Sequence, residues 1–293
     1  MPRARWILAV LALALAGYWV WSVVVQTSLI PIDRLARTAP SETRLMQERK
    51  SEAARKGKRH RADQRWVGYS QISPLLRRAV LIAEDDAFFA HGGLDWNEMR
   101  ASAQRNLERR RIVRGGSTIT QQLAKNLYLG GGRTVSRKLK EMVLASRLER
   151  ALDKRRIFEL YLNLIEWGDG IYGVEAASRR HFGVSAANLD SRQAVLLAAV
   201  IINPRRYSPL HPPARIERRA RTIASRMRKR GLLSKAQYAQ AIGRPLPSSG
   251  ALDWLFGPLA PAKDTAASLP EPERADTLDA GEPEPTPDSA NAP

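Results

Sequence analysis

Apolar and polar positions divide the chain into three regimes. From Trp6 to Val25 twenty residues pass without a charge, WILAVLALALAGYWVWSVVV, and as a helix at 1.5 Å per residue this run spans about 30 Å, one hydrocarbon core. It predicts a transmembrane helix over residues 6–25, preceded by a short N-terminus, residues 1–5. From Trp66 to Ile242 apolar residues recur at helical spacing with few alternating runs, and the breakers Gly115-Gly116, Gly130-Gly131-Gly132 and Gly168 to Gly173 separate the segments. A mainly α fold follows, with one all-helical domain over residues 66–245. The charged residues of 26–65, densest between Ser41 and Arg65, read as a connector: a juxtamembrane helix touching anionic lipid heads, or, as favoured here, a solvated stretch. Past Gly257 the chain is rich in proline, with eight acidic and two basic residues and no aromatic. Residues 258–293 are therefore expected to be a disordered acidic tail, too polar to bury a core.

Arg3 and Arg5 precede the apolar run, so the positive-inside tendency puts the N-terminus in the cytoplasm and the domain outside, with Asp33 and Arg34 weakening the asymmetry. A cleaved signal peptide is the rival. The run exceeds the usual 7 to 15 apolar residues and ends in Val23-Val24-Val25-Gln26 instead of a small-x-small site. Trp6, Trp19 and Trp21 suit interfacial anchoring. The net charge of +19 implies an anionic partner, be it nucleic acid, a lipid surface or a phosphorylated substrate. The absence of cysteine excludes disulfides, thiolate metal sites and cysteine nucleophiles. His60, His91, His181 and His211 show no metal-ligand spacing, and no metal site is expected.

Five segments carry candidate chemistry. In Glu84-Asp85-Asp86-Ala87-Phe88-Phe89-Ala90-His91-Gly92-Gly93-Leu94-Asp95 an apolar helix runs into three consecutive carboxylates. They repel one another and oppose the helix dipole, a break in local rules of the kind found at functional sites; a carboxylate there with a raised pKa suits a general base. An acidic helix end followed by a solvated turn explains the same residues. Arg114-Gly115-Gly116-Ser117-Thr118 leads into a helix through Asn126, with Ser117 as N-cap and free N–H groups suited to an anion. Ser117, Gln121 and Lys125 fall on one helical face, polar whether or not a ligand is there. In Arg133 to Glu141, the cations Arg137 and Lys138 can flank Glu141 and hold it ionised, or form ordinary surface pairs. Lys154 to Asn163 reads as scaffold, and Asn203 to Leu210 as a rigid loop with outward arginines.

In this order and spacing the patterns EDxxFxxHxGxD, GGSTITQQLAKN, RKxxE and KxxIxExYLN resemble the peptidoglycan glycosyltransferase family, glycosyltransferase family 51, over Trp66 to Ile242. The resemblance implies a lysozyme-like helical fold, with a groove between a large lobe and a small membrane-facing lobe. It implies that Glu84 is the catalytic base, taking a proton from the 4-hydroxyl of incoming lipid II, and that Glu141 is the second catalytic glutamate. Lys125, Arg137 and Lys138 would hold the pyrophosphate, Ser117, Gln121, Gln122 and Asn126 would line the groove, and Asp85 and His91 would support it. The reaction implied is an inverting displacement of undecaprenyl pyrophosphate that extends a β-1,4 glycan strand. Where the family shows Lys or Arg after the acidic pair, this chain has Asp86-Ala87.

No tightly bound cofactor is expected, a divalent cation (Mg2+ or Mn2+) being at most an aid at the pyrophosphate. Expected partners are lipid II, the growing strand and membrane lipid, with cell-wall synthesis or division proteins as candidates and no nucleic acid. The expected location is the bacterial inner membrane, single-pass, with the catalytic domain periplasmic. Ser-x-x-Lys and Lys-Thr-Gly transpeptidase motifs are absent, so no penicillin binding is expected. Two rivals stand: a lysozyme-like lytic enzyme, which needs no pyrophosphate cations, and a non-catalytic membrane-anchored scaffold.

Overall fold

The structure is a computed structural model that describes residues 2–108, 116–132 and 134–244, apart from the side chains of 2–5, 8, 9, 12 and 106. Arg114, Gly115, Arg133 and the expected tail at 258–293 lie outside the described residues.

Among the described residues the helical periodicity yields eleven α-helices: α1 (Pro2–Ser28), α2 (Arg44–Arg55), α3 (Pro74–Glu84), α4 (Trp96–Glu108), α5 (Ile119–Ala124), α6 (Val135–Ala151), α7 (Lys154–Leu164), α8 (Val174–Phe182), α9 (Ser191–Val200), α10 (Ala214–Lys229) and α11 (Lys235–Ala241). After its first turn α9 reads AVLLAAV, apolar on every side, and it is buried, packed between α3, α10 and α11. Asp190 starts it by accepting the Gln193 N–H at 2.8 Å, while Gln193 Oε1 accepts the Asp190 N–H at 3.1 Å. α7 turns Ile157, Leu160, Tyr161 and Leu164 inward, the stripe that its spacing predicts.

Three short strands were not foreseen: β1 (Asp63–Gln64), β2 (Glu166–Gly168) and β3 (Ile171–Tyr172) form one sheet in the order β1-β3-β2. β1 runs parallel to β3, with Asp63 opposite Ile171, and β2 runs antiparallel to it. Strands of two or three residues are too short to display an alternation. The sheet buries Trp167 and Tyr172 completely. Gly173 follows at φ 80°, and a Cβ there would meet the Asn163 carbonyl oxygen at 2.7 Å. Gly173→Ala is therefore expected to destabilise the fold by at least about 1 kcal/mol, lowering Tm by ~2–4 °C per kcal/mol in thermal unfolding.

The connector is not solvated throughout. Arg49 of α2 donates to Glu166 through Nε and Nη2, both at 3.0 Å, Glu48 Oε2 accepts the Gly131 N–H at 2.7 Å, and Arg205 Nη1 reaches Glu52 at 3.1 Å. Its charges have fixed partners on the helical body, so it docks there, and Arg205 faces α2 instead of solvent. The end of α1 docks as well. Val23 and Thr27 are buried, Arg147 of α6 donates to the carbonyls of Thr27 and Ile30, and Lys140 donates to Gln26 at 2.7 Å. Further up α1, Trp6, Ile7, Val10, Leu11, Leu13 and Leu15 are exposed. Judged on the described residues, no helix is long and apolar enough to cross a membrane.

Candidate active site

A groove of about 900 Å3 opens between the end of α3, the Gly116–Thr118 approach to α5, Ile201 and Ile202 beyond α9, and the basic face of α10. Glu84, the last residue of α3, lines it. Its Oε1 accepts from Arg219 Nη2 at 2.8 Å, and its Oε2 accepts from Gln122 Nε2 at 3.0 Å. Gln122 in turn accepts the Tyr161 hydroxyl at 3.1 Å through its own oxygen. Tyr161 is fully buried, which together with Glu84 and Asp85 holds its hydroxyl well above its usual pKa, so it remains the donor of that bond. Burial likewise raises the Glu84 carboxyl above the ordinary carboxylate range, against the pull of Arg219, Gln122 and Lys125. A carboxyl in that state sits closer to neutral pH, where general bases work well.

Each of the three consecutive acids has its own partner, which resolves their mutual repulsion. Glu84 pairs with Arg219, Asp86 pairs with Arg230 just beyond α10, and buried Asp85 turns inward. Asp85 Oδ2 accepts the Ile119 N–H at 2.9 Å, the first free donor of α5, and its two oxygens lie 3.0 and 3.1 Å from His91 Nε2. His91 Nδ1 accepts the Gly93 N–H at 3.1 Å, so the ring proton is on Nε2 and points at Asp85. Asp85 thus ties α3 to the start of α5 and fixes where Gln122 stands. Replacing it with alanine leaves two buried donors without acceptors, an expected loss of ~2–4 kcal/mol, measurable as a lowered midpoint in urea.

Asp85, His91 and Asp95 are the one group among the described residues whose ligand atoms lie together, within 4.8 Å of one another. They do not fit a cation as arranged, because the Nε2 lone pair is taken up by the proton donated to Asp85 and Nδ1 already accepts a backbone N–H.

The segment after Gly116 departs from its expected geometry. Thr118, not Ser117, caps α5, its Oγ1 accepting the Gln121 N–H at 3.2 Å while Gln121 Oε1 accepts the Thr118 N–H at 3.0 Å. Gln121 is fully buried in that capping box, so the polar face expected from Ser117, Gln121 and Lys125 does not form, and Gln122 reaches the site instead. Ser117 lies before the helix at the groove, where its Oγ accepts from Lys138 Nζ at 3.0 Å. At Lys125 the helix widens into a π-helical turn, Lys125–Leu129, closed by the Gly130 N–H on the Lys125 carbonyl at 2.9 Å. Such turns re-aim side chains and are frequent at functional sites. Lys125 lines the groove and Asn126 beside it is buried. Burial lowers the Lys125 ammonium below its ordinary range; Glu141 pulls the other way, with Arg137 and Lys138 adding to the lowering.

Glu141 is buried on α6 with both oxygens engaged, by Arg137 Nη1 at 2.7 Å and Lys138 Nζ at 2.5 Å. It does not line the groove; its link to it runs through Lys138 and Ser117. The sequence reading missed the α10 wall: Arg219, Arg226, Lys229 and Arg230 all border the groove. The signal was there, since Arg219, Arg226 and Arg230 recur at intervals of seven and four on one helical face.

A carboxyl of raised pKa in a groove walled by cations suits transfer chemistry on an anionic substrate, and known proteins bear on which. The family model described as Transglycosylase matches residues 50–228. Biosynthetic peptidoglycan transglycosylases are similar: that of Chromobacterium violaceum is 50% identical over 163 residues, covering 56% of this chain and 72% of the relative. Those of Nitrosomonas eutropha, 44% over 188 residues (64% and 77%), and Nitrosospira multiformis, 39% over 210 residues (72% and 88%), match at greater length. The matched span runs from within the docked α2 nearly to the end of α10 and contains every groove residue except Lys229 and Arg230, so this chain belongs to the transglycosylase family.

Proposed function

We infer that this chain is a peptidoglycan transglycosylase, an enzyme that polymerises glycan for cell-wall synthesis. The observation that carries the reading is the pairing, in one groove, of Glu84, whose carboxyl burial holds above its ordinary range, with the cation Lys125, backed by Lys138, Arg137 and Glu141. A hydrolase of glycosidic bonds needs two carboxyl groups flanking the bond; here the groove's other acids are engaged, Asp85 by His91 and the Ile119 N–H, Asp86 by Arg230, Asp95 by the Glu98 N–H and Glu98 by Arg105, and Glu141 is occupied by two cations behind the wall.

In the finer reading the substrate is lipid II. Glu84 takes the proton of the acceptor 4-hydroxyl, that oxygen bonds to the anomeric carbon of the strand, and the carbon's bond to the pyrophosphate oxygen breaks. The configuration inverts from α to β and no covalent enzyme intermediate forms. Lys125 meets the charge that grows on the departing pyrophosphate, with Arg137 and Lys138 adding to the field, an effect strongest where water is excluded. Ser117 and Gln122 shape the groove. Glu141 acts on Lys138 and Arg137 and not on the sugar, while Asp85 and His91 hold the frame. A divalent cation at the pyrophosphate would be an optional aid and would supply Lewis acidity there.

The membrane reading belongs to the same proposal. α1 carries the uncharged run Trp6 to Val25 and exposes its apolar side chains, while its last turn is latched to α6. With α1 as the single span and residues 66–245 as a lysozyme-like, two-lobed catalytic domain in the periplasm, the latch sets the groove at the height of a lipid-borne substrate. The test is product analysis after incubating the full chain with lipid II in detergent. One undecaprenyl pyrophosphate released per bond formed, with β-1,4 linkages, is the expected result; release without polymer overturns the reading.

A further inference from the structure

The general base is gripped from a helix that no motif of the sequence pointed to. Arg219 stands on α10, in its second turn, about 135 residues beyond the glutamate it touches. Its Nη2 bonds both to Glu84 Oε1 at 2.8 Å and to the Ala83 carbonyl at 3.2 Å, so one nitrogen fixes the side chain and the backbone of the α3 terminus together. Its buried Nε has no partner among the described residues. The helix bearing it is anchored at both levels: Ile216, Ala220 and Ile223 are buried in the core beside Arg219, and Arg230 pairs with Asp86 at the far end of the same acidic triplet. Gln122 holds the other Glu84 oxygen from α5. The carboxylate is thereby held between two walls of the groove.

Resting on the reading of Glu84 as the base, we propose that Arg219 is a positioning residue for the reaction: it fixes the orientation and the ionised state of Glu84 at the groove without itself meeting the sugar. Several groups face Glu84: Arg219 from α10, Gln122 from α5, Lys125 from the π turn, Asp85 next along the chain and Tyr161 from α7. Of these, Arg219 and Lys125 are the cations, and of the two Arg219 is the one that hydrogen-bonds the carboxylate. A partly buried ion pair favours the ionised form of its carboxylate. Removing the guanidinium frees the side chain to leave its orientation and takes away the chief force opposing its protonation.

The experiment compares Arg219→Gln and Arg219→Lys with the unmodified full chain in lipid II polymerisation across pH, with Glu84→Gln alongside. For Arg219→Gln, kcat is expected to fall roughly 10- to 100-fold with KM changed less than about threefold. The acidic limb of its pH profile should move up by about one unit, so that the deficit is largest at low pH and narrows as pH rises. Arg219→Lys, which keeps the charge and less of the geometry, should return the limb towards its original place while recovering only part of the rate; it also serves if the glutamine variant does not fold. An acidic limb that stays put in both variants, or a loss confined to KM, overturns the proposal. Full activity in Glu84→Gln sinks the assignment of the base itself, a result separable from any outcome at Arg219.

Discussion

Glu84→Gln is expected to lower lipid II polymerisation by about 10^2- to 10^4-fold, the range a positioned general base contributes, with little change in stability. The fold should tolerate it for a specific reason. Arg219 can still donate to the new amide oxygen, and if the Gln122 carboxamide turns over, its oxygen accepts from the new amide while its NH2 donates to the Tyr161 hydroxyl. Only the Tyr161 hydroxyl proton then loses its acceptor, a cost of ~1 kcal/mol. The loss should therefore appear in kcat, with the unfolding midpoint nearly unmoved. An equal loss of both would mean that Glu84 is structural.

The second large effect is expected at Glu141. Glu141→Gln leaves Arg137 and Lys138 facing each other with no anion between them, and Arg137 already has a buried Nε without a partner among the described residues. Both cations are partly solvated, so the stability cost is discounted to about 1–3 kcal/mol. The functional consequence runs through Lys125. Burial lowers the pKa of its ammonium and Glu141 opposes that lowering; without Glu141 the pKa drops further. In the proposed function Lys125 meets the pyrophosphate as an ammonium. Activity should then disappear on the alkaline side at a lower pH than in the unmodified chain, while the acidic limb, set at Glu84, moves little. A pH profile of kcat reads this directly, and an unmoved alkaline limb would remove Lys125 from that role.

The sequence was most informative where chemistry is written in consecutive residues. The acidic triplet, the flanking of Glu141 by Arg137 and Lys138, and the inward stripe of α7 all follow from helical spacing, and the structure has each of them. Errors arose where neighbouring residues compete for one role. Ser117 and Thr118 are both competent caps, and the choice of Thr118 rotates the helix so that Gln122 faces Glu84 and Gln121 is buried. A step of one residue turns an α-helix by about 100°, enough to exchange the two glutamines. The π turn at Lys125 has no signature in composition, since the widening depends on how Gly130 closes it. Long-range partners were the least legible. Arg219 and Glu84, or Arg49 and Glu166, are joined only when distant helices pack, and a periodic array of arginines on α10 looks the same whether it faces water or a groove. The docking of α2 was hidden for the same reason: a highly charged helix reads as solvated until the fixed opposite charges around it are known.

Synthesis of glycan, as against its cleavage, is decided by giving the purified full chain two substrates separately, labelled lipid II and preformed uncrosslinked glycan strands, and following product length in each. Long glycan from lipid II and unaltered strands in the second reaction are the expected outcome. Shortened strands in the second, with no polymer in the first, would contradict it and leave a cleaving enzyme in its place.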